Sequence, residues 1–433
     1  MSDILLFLVL PFLVLIFLSL PIAFALGTSS FIFIFFSGTT IPPLVVVTEM
    51  YSGLDQFALL ALPLFVLTGE LLNRAKVTER LVNMSDILVG WLRGGLAHIN
   101  IVASMFFAGI SGSALADTAS IGSLLIPPMI KKKYSPEFSA AVTAASSVIG
   151  PVIPPSVPMI IVGGTLGISV GGLFAAGMIP GILIGFALMI TTYIISVKKG
   201  YGIYHKFPGI KTTLDVLFQG IPAMLAPIIL LGGILSGIFT PTEAGGVAVA
   251  YSLLIGLLLY RTLSAKDILE AMVDSAKVTA SALILVATAV VFSRILVYYM
   301  VPQAILEFLL GISTNKVAIL LIINGFLFVM GMMMDAVANM IILGPVLMPV
   351  CVKGLGMDPL QFGVMLVVNL LIGLITPPLG MTLFIASPIA NVEYEKTAIA
   401  VLPFLVAEIV VLLMISFIPE VSLYLPMRLG FGR

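Results

Sequence analysis

Charged residues are scarce in this sequence: they make up 9% of its 433 residues, against about 25% in an ordinary soluble domain. The 20 Lys and Arg residues balance the 20 Asp and Glu residues, so no excess of positive charge indicates a nucleic-acid partner. Hydrophobic residues reach 60%, and the mean hydropathy is +1.24. Apolar stretches of about 20 residues recur along the chain, and each is long enough to cross a membrane. The composition therefore predicts an all-α polytopic membrane protein.

Cysteine and histidine are also nearly absent. The single Cys351 excludes an internal disulfide and a metal site made of thiolates. The sequence contains neither an HExxH zinc motif nor a GxxxxGK[ST] phosphate-binding loop for ATP. We therefore expect no enzymatic activity and no organic cofactor. The energy source is expected to be an ion gradient or a partner. The N-terminal apolar run lacks the positive flank of a signal peptide, which predicts a retained first helix over 3–26.

Two long segments carry one charge each. Asp117 is the only charged residue in 94–130, and Asp335 is the only one in 317–352. As a single helix, either segment would be about 55 Å long, which exceeds one membrane crossing. Each segment therefore predicts a re-entrant hairpin, the first at about 95–130 and the second at about 317–352. The tip of such a hairpin must be surrounded by protein or water.

A proline pair follows each hairpin. The sequence reads GPVIPPSVPM at 150–159 and GLITPPLGMT at 373–382. Proline lacks an N–H and disfavours helix in the residue before it, so the helical hydrogen bonds must break at both pairs. The pattern predicts two interrupted helices, at about 136–168 and about 359–391.

The same order of elements occurs twice along the chain. In each half, three apolar spans precede a hairpin, an interrupted helix and a last span, and a proline (Pro127 or Pro345) follows the hairpin aspartate by ten positions. Membrane proteins keep their basic loops in the cytoplasm, which places both termini outside and the two halves in opposite directions. We therefore predict an inverted-topology repeat of 1–210 and 211–433, an arrangement typical of secondary transporters.

The breaks and the hairpin tips predict ion sites. A broken helix leaves carbonyl oxygens without partners, and a hard cation such as Na⁺ prefers oxygen ligands. The candidate ligands in the first half are Ser111, Gly112, Ser113, Ser156 and the carbonyls near Gly150 and Ile153, and those in the second half are Asp335, Asn339 and Thr376. A lone proline pair can produce only a kink, but a pair in both halves favours coordination.

Charges inside the membrane are functional by default, because they are costly there. We expect Asp117 and Asp335 at the hairpin centres, where they either lie near the ion sites or only stabilise the tips. Arg294 either pairs with a substrate carboxylate or extends to the membrane surface. Helix N-termini at the tips favour an anionic substrate group. The candidate substrate-binding residues are Ser111, Gly112, Asp117, Ser156, Arg294, Asp335 and Thr376.

Four motifs carry a resemblance to a known family. They are GISGSALADTASIGS at 109–123, IGPVIPPSVPMIIVG at 149–163, GGILSGIFTPTEAGG at 232–246 and GLITPPLGMTLF at 373–384. They resemble the large membrane subunit, of the DctM or SiaM type, of tripartite ATP-independent periplasmic (TRAP) transporters, and the resemblance covers essentially the whole chain. It implies an ion-transporter elevator fold, in which hairpins and interrupted helices move against a scaffold.

The resemblance also implies ligands and partners. Carried over by motif, Ser111, Ser113, Gly150, Ile153 and Ser156 surround one Na⁺, and Asp335, Asn339, Gly373 and Thr376 surround a second. Such subunits work in the lipid of the bacterial inner membrane with a small four-helix membrane subunit, expected here as a separate chain, and a periplasmic substrate-binding protein. They import organic acids such as N-acetylneuraminate or C4-dicarboxylates, and overall likeness favours a sialic-acid member.

We therefore expect a multi-pass permease subunit that imports a small organic acid with Na⁺ by elevator-type alternating access. One alternative is an intramembrane aspartyl hydrolase that uses Asp117 and Asp335 as an acid–base pair. Such carboxylates must lie within a few ångströms of each other, whereas these two belong to hairpins predicted to enter from opposite faces. Two further alternatives are a stand-alone Na⁺/carboxylate carrier, which needs no binding protein, and a channel.

Overall fold

The computed structural model describes residues 2–204 and 209–431. Within these ranges the chain is helical, and the β-structure consists of one isolated pair between Arg93 and Ile203. Six of the described helices are long and apolar enough to cross a membrane, or seven if the bent pair of Tyr394–Ala400 and Leu402–Phe417 is counted as one span. The prediction of an all-α polytopic membrane protein is confirmed.

The chain begins with helices α1 Ser2–Ile4, α2 Leu10–Phe17, α3 Ile22–Phe36, α4 Leu44–Leu54, α5 Ala61–Arg74 and α6 Val77–Val89. A π-helical turn, Leu5–Val9, joins α1 to α2, and a 3-10 turn, Phe57–Leu60, precedes α5. The helix predicted over 3–26 is wrong in its extent. The chain turns at Ser19, whose φ is +62°, and Pro21 begins the next helix as its N-cap.

The next five helices are α7 Gly95–Ser111, α8 Ala114–Lys131, α9 Pro136–Ser147, α10 Val157–Leu166 and α11 Val170–Lys199. Helices α7 and α8 form a hairpin whose tip is Gly112 and Ser113. Helices α9 and α10 are the two parts of an interrupted helix, separated by residues 148–156.

The middle of the chain consists of α12 Ile210–Leu235, α13 Pro241–Leu254, α14 Ala265–Tyr298 and α15 Val301–Ile312. A π-helical turn, Ile255–Leu259, extends α13. The long helix α14 packs against α3, α4 and α5. Arg74 of α5 binds Glu270 at 2.7 Å and Asp274 at 2.8 Å, so ion pairs join α5 to α14.

The last helices are α16 Lys316–Met333, α17 Ala336–Met348, α18 Pro359–Ile372, α19 Met381–Ile389, α20 Tyr394–Ala400, α21 Leu402–Phe417 and α22 Pro419–Arg428. Helices α16 and α17 form the second hairpin, with Met334 and Asp335 at its tip, and a π-helical turn, Pro349–Gly354, extends α17. Helix α18 continues as a 3-10 turn, Gly373–Ile375, and the chain then breaks over 376–380 before α19.

Each interrupted helix contacts the hairpin of the other half. Helix α19 packs against α8 and α9, and α10 packs against α17 and α18. Both hairpins also pack on the first part of their own interrupted helix, since α7 contacts α9 and α16 contacts α18. This exchange brings the two tips and the two breaks together in the interior.

The hairpins correspond in a different register from the one that the proline spacing suggested. Ser113 and Asp335 are the N-cap residues of α8 and α17, so they hold equivalent places. Asp117, expected at a hairpin centre, instead lies one turn inside α8, and Asn339 holds the same place in α17. The ten-residue spacing from aspartate to proline was misleading. Helix α8 contains two prolines, and α17 with its extension also contains two, so the spacing can agree when the helices are aligned in the wrong register.

The close packing of the second break generates a stability prediction. A Cβ added to Gly373 would overlap the backbone of Gly331 in α16. Neither backbone can give way without moving a helix, and overpacking of this kind costs about 1–3 kcal/mol. We expect Gly373→Ala to lower the thermal unfolding temperature of the purified protein by several degrees. Gly232→Ala is the control, since a Cβ there meets nothing within 4 Å. Equal unfolding temperatures for the two variants would contradict the contact.

Candidate binding cavity and ion sites

A cavity of about 270 Å³ lies where the two hairpin tips meet. Its walls come from both tips, the start of α10, and the helices α5 and α14. The lining residues include Glu70, Asn73, Gly112, Ser113, Leu115, Val157, Pro158, Val278, Ala282, Asp335 and Val337. Its volume is near the lower end of the range of about 300–1,000 Å³ for small-molecule pockets.

The first hairpin tip packs directly on the first break. Gly112 ends α7 in a left-handed conformation, with φ +58°. A Cβ on Gly112 would lie 3.2 Å from both the Pro155 carbonyl oxygen and the Val157 nitrogen. Ser113 caps α8, where its Oγ accepts a hydrogen bond from a backbone N–H of the first turn at 3.4 Å. The side chain of Ser111, a predicted ligand, lies outside the described residues.

Ser156 organises the first break. Its Oγ donates to the Pro151 carbonyl and accepts a hydrogen bond at 3.2 Å from a backbone N–H in the first turn of α10. Gly150 and Ile153, both predicted ligands, lie in the same turn between α9 and α10. Since the chain here has left the regular helix, backbone oxygens and a hydroxyl are available in one short segment.

Asp117 is fully buried beside this break: a Cβ on Gly150 would lie 3.9 Å from its Oδ2. Neither carboxylate oxygen accepts a hydrogen bond from the described residues. The hydroxyls that face it belong to Ser104 and Ser147. Ser104 donates to another serine at 3.1 Å, and Ser147 donates to a carbonyl of α9 at 2.7 Å. A buried carboxylate among oxygen atoms needs a cation or a proton as compensation.

The second hairpin tip carries its carboxylate at the cavity. Asp335 caps α17, and its Oδ1 accepts hydrogen bonds from the N–H groups of Val337 at 2.9 Å and Ala338 at 3.1 Å. One turn further, Asn339 is fully buried and its Nδ2 donates to the Met330 carbonyl at 2.8 Å. Its Oδ1 accepts no hydrogen bond from the described part of the chain. Both second arms thus hold, at the same place, a buried oxygen that accepts no hydrogen bond from the described residues.

Gly373 and Thr376 lie at the second break. The backbone of Gly373 contacts that of Gly331, in the first arm of the second hairpin. The Thr376 N–H donates to the Gly373 carbonyl at 3.1 Å, and its Oγ1 donates to the Ile372 carbonyl at 2.8 Å. The proline pairs of both breaks are joined by cis peptide bonds. In each half, a hairpin therefore contacts a break: Gly112 lies against Pro155 and Val157, and Gly331 lies against Gly373.

Two buried amide networks were not anticipated from the sequence. Asn100 of α7 donates to Thr143 of α9 at 2.6 Å, and Asn369 of α18 donates to the Asn324 side chain of α16 at 2.9 Å. Each network joins a hairpin's first arm to the first part of an interrupted helix. The available signal was a lone asparagine in an apolar helix, since a buried amide is costly unless it is paired.

The described lining of the cavity carries negative side chains and no positive one. Glu70 of α5 and Asp335 line it, and no Lys, Arg or His is among its described lining residues. Arg294, predicted as a partner for a substrate carboxylate, does not line it. Arg294 lies on the exposed face of α14, with 65% of its side chain exposed and its Nε 3.3 Å from Glu49 Oε1. Helix N-termini are therefore the main positive groups facing the cavity.

The two aspartates do not form a catalytic pair in the described structure. Asp335 lines the cavity and is held by N–H groups of its own helix, whereas Asp117 is buried beside the first break and is not a lining residue. An acid–base pair needs both carboxylates on one reacting group. The separate surroundings give no support to the hydrolase alternative.

An all-helical membrane chain with two hairpin tips and two interrupted helices around one cavity has the architecture of a secondary transporter. The model of the family described as "Tripartite ATP-independent periplasmic transporter, DctM component" matches residues 9–421. The chain belongs to this family and is a TRAP transporter large permease component, which confirms the resemblance seen in its motifs. Since the family is tripartite, the chain works as one of three components.

Relatives that are named as TRAP transporter large permease proteins align with most of the chain. The sialic acid TRAP transporter large permease protein SiaM of Vibrio cholerae is 39% identical over 97% of this chain and 98% of its own length. The C4-dicarboxylate TRAP transporter large permease protein DctM of Pseudomonas aeruginosa is 35% identical over 89% of this chain and 90% of its own. Among solved structures, the YdaH transporter of Alcanivorax borkumensis has a similar fold, with a TM-score of 0.61, 14% identity, and coverage of 90% of this chain and 89% of that one.

The contact between Gly112 and the first break generates a second prediction. Gly112→Ala and Gly167→Ala both place alanine at a left-handed position, with φ +58° and +67°, at a cost of about 1–2 kcal/mol each. Only the Cβ at Gly112 meets the break, since that at Gly167 has nothing within 4 Å. We expect substrate uptake by Gly112→Ala to fall several-fold below that of Gly167→Ala in proteoliposomes at equal protein content. Equal uptake by the two variants would show that the tip need not contact the break.

Proposed function

We propose that this chain imports a small organic anion together with Na⁺ by alternating access. The observation that carries the proposal is a pair of buried oxygen groups that accept no hydrogen bond from the described residues, the Asp117 carboxylate and the Asn339 Oδ1. Each lies beside a contact between a hairpin and an interrupted helix. Two such places in one chain fit the binding of cations whose gradient drives transport.

The proposed ion sites use the oxygen atoms at these contacts. Ser111, Ser113, Gly150, Ile153 and Ser156 would hold one Na⁺, and Asp335, Asn339, Gly373 and Thr376 would hold the other. Asp117 supports the first site, because its buried negative charge lies against Gly150 and has no other positive partner among the described residues. A cation there would offset the cost of burying the carboxylate.

The substrate is proposed to lie in the cavity between the two ion sites. Asp335 already occupies the N-terminus of α17, whereas α8 begins with the neutral cap Ser113. A substrate carboxylate would therefore bind at the start of α8, beside Gly112 and Ser113. Glu70 and Asn73 on α5 can accept and donate hydrogen bonds to its hydroxyl or amide groups. We propose that the substrate is N-acetylneuraminate or a C4-dicarboxylate, because relatives of this chain are named as sialic acid and C4-dicarboxylate permeases.

The movement is proposed to be of the elevator type, within an inverted repeat of 1–210 and 211–433. The exchange between halves, in which α19 packs on α8 and α10 on α17, supports a moving body of hairpins and interrupted helices. Helices α5 and α14, joined through Arg74, would belong to the scaffold. The cavity would then lie at the border between the two parts, where sliding exposes it to one side or the other.

The proposed partners are a small four-helix membrane subunit and a periplasmic substrate-binding protein, in the bacterial inner membrane. We propose that both termini are periplasmic and the basic loops cytoplasmic. Contacts among the basic segments support one common side: Lys199 Nζ lies 3.3 Å from Ser135 Oγ at the start of α9, and the Arg80 guanidinium lies 3.7 Å from the Tyr260 ring centroid.

Uptake into proteoliposomes tests the proposed function. The vesicles contain this chain with its small subunit, and the binding protein and labelled N-acetylneuraminate or succinate are outside. We expect uptake of one acid to require both an inward Na⁺ gradient and the binding protein. Uptake without the binding protein would instead identify a stand-alone carrier, and uptake that ignores Na⁺ would overturn ion coupling.

Asp117→Asn tests the first ion site. The substitution keeps the shape and removes the charge, so Na⁺ would bind without its buried counter-charge. We expect the half-saturating Na⁺ concentration for uptake to rise at least about tenfold, the effect of losing about 1.4 kcal/mol of cation binding. Asp55→Asn is the matched control, because Asp55 is exposed at the end of α4. An unchanged Na⁺ response in Asp117→Asn would remove Asp117 from the site.

A further inference from the structure

The Tyr394 hydroxyl reaches the second break from outside the interrupted helix. Tyr394 is the first residue of α20, and its Oη contacts the carbonyl oxygens of Pro378 at 3.0 Å and Leu379 at 3.1 Å. A hydroxyl has one hydrogen, so the two carbonyls share this donor. Both carbonyls lie in the 376–380 segment, which has left the helical hydrogen-bond pattern.

The first break has a hydroxyl donor of its own. There Ser156 donates to the Pro151 carbonyl from within the break, and the hairpin tip at Gly112 covers the carbonyl of Pro155. The residue that follows the second proline pair is Leu379, which has no hydroxyl. Thr382 donates to the Leu374 carbonyl at 2.9 Å and replaces part of the serine's role. The carbonyls of Pro378 and Leu379 instead accept from the Tyr394 hydroxyl.

The position of Tyr394 is fixed by contacts between α19 and α20. Its ring stacks on Phe384 of α19, with 4.4 Å between ring centroids and 22° between planes. The Ser387 Oγ donates to Thr397 Oγ1 at 2.9 Å, which joins the same two helices. A hydroxyl held by stacking and by a buried hydrogen bond can fix the conformation of the break.

We propose that Tyr394 is a positioning residue for the second ion site. By holding the carbonyls of Pro378 and Leu379, it keeps the break in the conformation in which Gly373 and Thr376 present their oxygen atoms. Without this hydrogen bond, Na⁺ binding must itself order the break, and the ordering cost lowers the apparent affinity. The inference rests on the proposed Na⁺ coupling of this chain.

Tyr394→Phe tests the proposal in the reconstituted three-component transporter. Phenylalanine keeps the stacking on Phe384 and removes only the hydroxyl, at the rim of an open cavity, so the variant leaves no void in the core. We expect half-saturating Na⁺ to rise about fivefold, the effect of one hydrogen bond. The maximal rate and the substrate half-saturation at saturating Na⁺ should match the wild type. Tyr424→Phe is the control, since Tyr424 is 54% exposed on α22.

The outcomes separate this proposal from the proposed function. Unchanged half-saturating Na⁺ in Tyr394→Phe, with uptake still Na⁺-dependent, overturns the role of Tyr394 and leaves the proposed function standing. A wild type that ignores Na⁺ overturns both. A second measurement, the rise in unfolding temperature with added NaCl against choline chloride, needs no transport. The Na⁺ concentration that produces half of this rise should be higher in Tyr394→Phe than in the wild type. It should be higher still in Tyr394→Leu, which also loses the stacking. A loss of stability without that shift would mean a structural role only, and would overturn the proposal.

Discussion

Backbone polar groups without partners are not tolerated in an apolar medium, and the centre of this structure is built around that constraint. The two proline pairs break two helices, and the carbonyls freed at each break need donors outside the helical pattern. In the first half the Ser156 hydroxyl donates to one of them, and the hairpin tip at Gly112 packs on the break. In the second half Thr382 and Tyr394 donate, and Gly331 packs on the break. The hairpins therefore pack on the interrupted helices where those helices are broken.

Each hairpin has one carboxylate in its second arm, but the position of this carboxylate differs between the two halves. At the N-cap of the second arm, the first half has a serine and the second has Asp335; one turn further, the first has Asp117 and the second has an asparagine. The carboxylate is thus buried beside the break in one half and lines the cavity in the other. Because Asp335 neutralises the start of α17, α8 is the one of the two hairpin arms that begins with an uncharged cap. The same framework thereby gives a cavity whose two hairpin arms differ in charge.

The sequence predicted the hairpins and breaks well, because proline and charge act locally. A proline removes a hydrogen bond wherever it occurs, and a long uncharged segment must fold back or exceed the membrane. The errors have a common cause, which is that side-chain direction and helix register depend on neighbours. Asp117 was expected at a hairpin centre, yet it lies inside α8. For Arg294 the sequence left two alternatives open, a substrate partner or extension to the membrane surface, and the structure places it on the exposed face of α14 beside Glu49.

By itself the sequence determined the membrane class, the two hairpins, the two breaks and the family. These follow from composition and from residues whose effect on the backbone needs no partner. Only the tertiary structure decided which groups face one another: Asp117 against Gly150, Gly331 against Gly373, and the Tyr394 hydroxyl against the carbonyls after the second proline pair. Those contacts join segments far apart in the chain, and Tyr394 lies in a helix that no motif marked. Helix packing sets the distances between these groups, and it depends on many weak contacts over the whole molecule. A local sequence pattern therefore cannot predict these distances.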